Sequence, residues 1–194
     1  MYSNAMNRIL FIVVAVVCLL SNSVNAQGFM GVSGKIEILL IPTAKKELKI
    51  TKEQDKAIQL AMKDADKSEN LAGLDFKYPT KNMDAKLDAV LNDEQRLRMK
   101  QLWYQRNGYF VLQLSEPAAE LKLTDEQASQ VATICSDKDS AAMELISGGK
   151  VGSNIIKKMK AVAKEYEAKI AAILTEEQKT AWTTLIGKPF KFPN

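Results

Sequence analysis

The stretch that decides the fold is "ELKLTDEQ", residues 120–127, and three related phrases recur along the chain. A near copy, "ELKITKEQ", occupies residues 47–54, and the shorter phrases "LNDEQ" from Leu91 and "LTEEQ" from Leu174 follow the two long ones in turn. In every phrase a Thr or Asn stands three residues before a Gln. This spacing is typical of the capping box that begins an α-helix.

The four boxes predict four helix starts. The side chain of the Thr or Asn accepts a hydrogen bond from the backbone N–H three residues later, and the Gln side chain reaches back to the N–H of the cap residue. Acidic residues in the first turns suit the positive end of the helix dipole. An apolar residue precedes each cap and is expected to anchor the turn in the core (Ile50, Leu91, Leu123, Leu174). The predicted caps are Thr51, Gln54, Asn92, Gln95, Thr124, Gln127, Thr175 and Gln178.

The similarity extends beyond the caps and indicates an internal repeat. With a shift of 73 residues, residues 38–51 align with 111–124, and with a shift of 83, residues 87–95 align with 170–178. We therefore predict two tandem helical units, residues 28–108 and 109–194. Between its two boxes the second unit contains ten more residues than the first, because the two shifts differ by 83 − 73 = 10. The turn-rich segment "SGGKVGSN" from Ser147 is a candidate position for them.

The segments between the caps are amphipathic with helical periodicity, so we predict an all-α fold. Two short apolar runs, residues 36–41 and 109–114, leave two alternatives open. They are either strands that pair into a minor two-stranded ribbon, or segments that lead into short helices begun by Pro42 and Pro117. We expect the methionines and tryptophans at helical spacing to be core residues. The competing interpretation is that they form an exposed apolar surface edged by lysines.

The start of the chain has the layout of a secretory signal peptide. An unbroken apolar run at residues 9–20 follows Arg8 and precedes the small-residue ending "SVNA" at 23–26. The run is too short to span a bilayer, so we predict that residues 1–26 are cleaved, that no membrane span remains, and that the protein is periplasmic or secreted. Cleavage of 26 from 194 residues leaves 168, in which Cys135 is the only cysteine. Its role stays open.

The composition excludes several kinds of chemistry. The sequence contains no histidine, which rules out Ser-His-Asp and Cys-His catalysis. The net charge of +4 is spread along the chain, which does not suggest nucleic acid as a partner. We therefore expect a protein that is not an enzyme, with no cofactor and no catalytic or metal-binding residue.

At the phrases "LKITKEQ", "LKLTDEQ", "ILTEEQ" and the variant "VLNDEQ", the chain resembles the LTxxQ-motif proteins of the bacterial periplasm, the Spy/CpxP-like family. The resemblance implies a helical protein that binds unfolded polypeptides without ATP, in a chaperone-like or stress-response role. The alternative that it implies is a regulatory module for a single envelope partner. Relatives carry one motif pair and dimerise into a cradle, so two pairs in this chain suggest a pseudo-dimer within one chain. The motif does not mark partner-binding residues.

Overall fold

The structure, a computed structural model, describes residues 32, 34–68, 80–147 and 153–193. The predicted signal peptide, residues 1–26, lies outside the described residues, as do residues 148–152 of the turn-rich segment. The prediction of an all-α fold is confirmed, since the described part of the chain is helical and contains no strand. None of its helices is both long and apolar enough to cross a membrane.

Contacts between residues divide the described chain into two compact units. The first unit comprises residues 34–105 and 186–190, and the second comprises residue 32 with residues 106–185 and 191–193, in each case without the masked segments. The predicted limits of 28–108 and 109–194 stay a prediction. The first unit contains the 3-10 helix η1 (Lys35–Leu40) and the helices α1 (Pro42–Glu47), α2 (Lys52–Ser68) and α3 (Thr80–Val90). The division falls within α4 (Asp93–Asn107), and the second unit continues with η2 (Gly108–Gln113), α5 (Ser115–Glu120), α6 (Asp125–Ser147), α7 (Ser153–Ile173) and α8 (Glu176–Ile186).

The two apolar runs form 3-10 helices, so the two-stranded ribbon is wrong for these segments. Neighbouring residues along each run are buried together, Ile38 with Leu39 and Phe110 with Val111, instead of alternating between two faces as in a half-buried strand. The alternative of short helices is correct. Pro42 begins α1 as predicted, where its missing N–H is not needed, but α5 begins at Ser115, two residues before the predicted start at Pro117.

The long phrases end one helix as well as beginning the next. Lys49 has φ 51° and Lys122 has φ 53°, both in the left-handed region. The N–H of Leu123 donates to the carbonyl of Ala118 at 3.0 Å, and the N–H of Lys122 donates to that of Ala119 at 3.0 Å. This is the Schellman pattern of a helix C-terminus, with lysine where glycine is usual. The turn at Lys49, in the phrase at residues 47–54, contains the two equivalent bonds.

Replacing Lys122 by glycine is expected to stabilise the protein. Glycine adopts a positive φ without the steric penalty that a Cβ brings, so Lys122→Gly should raise the free energy of unfolding by about 0.5–1 kcal/mol. Urea unfolding measures the change. Lys160→Gly is the control, because Lys160 is exposed within α7, where glycine should destabilise by about 1 kcal/mol. A loss of stability in both variants would contradict a strained Lys122.

The apolar residue before each cap was expected to be buried in the core, and this is correct for the two short phrases but not for the two long ones. Leu91 and Leu174 are buried before the two short boxes, but Ile50 and Leu123 are only half-buried. Leu48 and Leu121 are buried in their place, two residues earlier. The reason is the Schellman turn. Its left-handed lysine reverses the chain after the buried leucine, so the next apolar residue lies nearer the surface.

Candidate functional site

Each of the four predicted boxes contains both capping bonds. The backbone N–H of each glutamine donates to the Thr or Asn side chain, and each glutamine Oε1 accepts from the backbone N–H of the cap residue. The first bond measures 3.2 Å for Gln54 to Thr51, 2.9 Å for Gln95 to Asn92, 3.1 Å for Gln127 to Thr124 and 3.2 Å for Gln178 to Thr175. In the same order the second measures 3.0, 3.1, 3.1 and 2.9 Å.

The structure also joins the glutamines of the first unit in a pair. The Nε2 of Gln54 donates to Oε1 of Gln95 at 2.7 Å, and the Nε2 of Gln95 donates to Oε1 of Gln54 at 3.0 Å. The second proton of each amide is directed to a backbone carbonyl, that of Val90 for Gln54 at 3.0 Å and that of Leu48 for Gln95 at 3.1 Å. Every donor and acceptor of the two amides is therefore used.

The second unit contains the equivalent pair. Gln127 and Gln178 exchange two bonds of 2.9 Å each. Gln127 also donates to the carbonyl of Ile173 at 2.8 Å, and Gln178 donates to that of Lys122 at 3.2 Å. The two glutamine pairs thus tie the start of each long helix to a second helix start and to the end of the preceding helix. A spare Nε2 on each capping glutamine is the signal that could have suggested this pairing from the sequence.

The glutamine pair of the first unit positions a helix with a mixed basic and apolar outer face. We define the α2 face by the exposed side chains of Lys52, Lys56, Gln59, Leu60 and Lys63. Their spacing of three, four and seven residues places them on one side of the helix, opposite buried Ile58. Lys52 and Lys63 are eleven residues apart, which corresponds to about 16 Å along the helix axis.

The α2 face has available charge around an exposed apolar side chain. Leu60 is 61% exposed. None of Lys52, Lys56 and Lys63 forms an ion pair with another residue in the part of the chain that the structure describes. Their aliphatic stems can cover apolar surface while the ammonium groups stay in water. The face therefore offers one exposed leucine with a lysine about one helical turn before it and another about one turn after it.

The repeat does not account for the α2 face. With the shift of 73, its three lysines correspond to Asp125, Ser129 and Ser136 of α6, and Leu60 corresponds to Thr133. Both helices begin with the same capping box and the same glutamine contacts. Lysines and an exposed leucine are therefore not required for the fold of a unit, and the chemistry of the α2 face is particular to the first unit.

The remaining large apolar residues divide between core and surface. Met99, Trp103, Met159 and Trp182 are buried, as expected for core residues at helical spacing. Met62 is half-buried, and Met143 is exposed on α6. Two more leucines of the first unit, Leu40 and Leu97, are also exposed, the latter to 60%. Burial therefore separates residues that share one type and one periodicity.

Two ionisable groups of the second unit, Cys135 and Glu167, have pKa values that burial raises. Cys135 is a free, buried thiol, and desolvation raises its pKa to about 11, which keeps it protonated and unreactive near neutral pH. Burial also raises the pKa of Glu167, opposed by the hydrogen bond that its Oε1 accepts from the N–H of Tyr109 at 3.4 Å. A Cβ on Gly108 would lie 2.0 Å from that Oε1, so glycine allows the close approach. Within the described ranges, no group of three acidic or thiol side chains could hold a metal ion.

Comparison with known proteins adds no relative. No family model, no curated protein and no solved structure matches this chain. The α2 face is therefore interpreted from its own contacts and charges.

Proposed function

We propose that the chain is an exported, non-enzymatic helical protein that binds unfolded or partner polypeptides through the α2 face. The role is ATP-independent and chaperone-like, or part of an envelope stress response, as the resemblance to Spy/CpxP-like proteins implies. The observation that carries the proposal is the exposure of Leu60 between Lys56 and Lys63, one helical turn away on either side. The apolar run at residues 9–20 supports export.

The physical mechanism is weak apolar binding at Leu60, assisted by the positive charge of the neighbouring lysines. Complete burial of a leucine side chain contributes roughly 1.5–3 kcal/mol, and ordering the partner opposes part of this gain. A single such contact gives low affinity, so a client must make several contacts along the face and dissociates readily when it folds. The lysine stems enlarge the apolar area, and their charges attract acidic segments of a client. Release by dissociation needs no nucleotide.

Light scattering tests this function. Three unrelated denatured proteins are diluted into buffer with the chain that lacks residues 1–26, without nucleotide. We expect suppression of aggregation for all three clients. Leu60→Ser should raise the concentration for half suppression about three- to tenfold, because contact area is lost. Leu97→Ser is the matched control, since Leu97 is as exposed on α4 but lies outside the α2 face, and it should leave suppression unchanged.

The same assay separates the alternative function. No suppression of any client, together with saturable binding of one envelope protein in a pull-down, would support a regulatory module for a single partner. An equal loss of suppression in Leu60→Ser and Leu97→Ser would show that the α2 face is not the binding surface.

A further inference from the structure

The second unit carries an open groove along α6. Its volume is about 700 Å³. The lining residues Ala132, Ser136, Ser140 and Met143 follow one another at steps of three or four along the helix. From residue 132 to residue 144 the groove follows the helix for about 18 Å. The small side chains leave room above the helix, and an elongated open groove of this kind fits a length of polypeptide better than it fits an enclosed small molecule.

The groove is acidic. Among the described residues that line it, Asp139 and Glu144 are acidic and none is basic. The sequence of α6 contains five acidic residues and one basic residue, Lys138. Lys138 is only 1% exposed, with its Nζ 3.0 Å from Oδ1 of Asp139 and 4.6 Å from the ring centroid of Phe110. The one cation of the helix therefore pairs with Asp139 from the buried side, and Glu144 is exposed without an ion pair to any described residue.

A metal ion does not explain these carboxylates. They lie five residues apart on the helix, and the described chain places no third acidic or thiol group with them in a cluster that could hold a metal. Two separated carboxylates along a groove instead match separated ammonium or guanidinium groups, which pair with one carboxylate each. Met143 also lines the groove, and its exposed, flexible side chain can supply an apolar contact beside the two carboxylates.

We propose that the α6 groove binds a cationic polypeptide segment. One Lys or Arg side chain of the segment pairs with Glu144, and an apolar residue of the segment contacts Met143. Another Lys or Arg side chain can pair only with Oδ2 of Asp139, because the buried Oδ1 already faces Nζ of Lys138. The inference does not depend on the α2 face, which has the opposite charge and lies in the other unit. The repeat-related positions in α2 carry Gln59 and Lys63 in place of Ala132 and Ser136, so the first unit does not offer the same groove chemistry.

Fluorescence anisotropy with labelled peptides tests the proposal. The probe is a helix-forming peptide of about 12 residues, which as an α-helix is about as long as the 18 Å groove. It carries lysines at every third or fourth position and leucines between them. Its partner probe has glutamate in place of each lysine. In buffer of about 0.15 M NaCl we expect the basic peptide to bind and the acidic one not to bind, and about 0.5 M NaCl should weaken binding through screening.

Two variants that alter the groove and one control variant test whether the basic peptide binds at the groove. Glu144→Lys reverses an exposed charge of the groove, and Ser136→Phe fills it. Each should weaken binding of the basic peptide at least about tenfold. Asp137→Lys makes the same kind of charge change on the same helix outside the groove and should alter binding by less than about twofold. Melting curves establish that each variant is folded.

Several outcomes would overturn the proposal. Equal binding of the two peptides would exclude recognition of charge, and an equal loss in Asp137→Lys and Glu144→Lys would exclude the groove. Competition by spermidine at the concentration of the peptide would assign the site to a small polyamine. Self-association of the chain that Glu144→Lys abolishes would identify a second copy as the occupant.

Discussion

Replacing Gln95 by alanine should lower the free energy of unfolding of the first unit by about 3 kcal/mol. Gln95 is 8% exposed. Its loss leaves the amide of Gln54, the N–H of Asn92 and the carbonyl of Leu48 without their partner, and water reaches this position poorly. Buried polar groups that lose their partners are destabilising by more than the net value of the bonds that they formed.

A double-mutant cycle in urea distinguishes the pair from two separate caps. The cycle compares Gln54→Ala, Gln95→Ala and the double variant, and we expect a coupling energy of about 1–2 kcal/mol. Gln59→Ala is the matched control, since Gln59 is an exposed glutamine of α2 bonded to Asp55, and its loss should matter by less than about 0.5 kcal/mol. Additive effects of the two alanines would mean that each glutamine acts only as a cap.

Leu121→Ala should lower the free energy of unfolding by a similar amount, about 3 kcal/mol. Leu121 is 2% exposed and holds the turn between α5 and α6 in the core of the second unit. Alanine removes most of its buried surface, and the neighbouring helices cannot close the space completely because the Schellman bonds around Lys122 hold the backbone of the turn.

The matched variant is Leu123→Ala. It removes the same atoms two residues later, where the side chain is half-buried, so we expect a loss of about 1 kcal/mol. Urea unfolding of the two variants gives the difference. Equal losses would mean that Leu123 anchors the turn as firmly as Leu121 does, as the sequence had suggested.

The helical fold was predictable because its signals are local. Each capping box lies within four residues, and each apolar stripe lies on one helix. The runs before Pro42 and Pro117 were ambiguous, because a few consecutive apolar residues have no period that separates a strand from a 3-10 helix. The helix stop at Lys122 was hidden, because glycine or asparagine usually marks a left-handed position and lysine does not.

The surfaces were less accessible to prediction. Met99 and Met143 both lie at helical spacing, and only packing decides that one is buried and the other exposed. The α6 groove depends on the same packing. The difference in charge between the repeat-related helices was visible in the sequence, since Lys52 and Lys63 stand where Asp125 and Ser136 stand. It acquires meaning only when these side chains prove to face outward.

The glutamine pairs also explain how the two units tolerate different lengths. The pair in the first unit closes a chain segment of 41 residues, and the pair in the second closes one of 51. The entropy lost on closing a flexible loop grows only with the logarithm of its length, so ten further residues add about 0.2 kcal/mol. A non-covalent closure at a fixed place therefore lets the connecting segment lengthen almost without penalty. Insertions between the two boxes of a unit are the changes that this architecture accepts most easily.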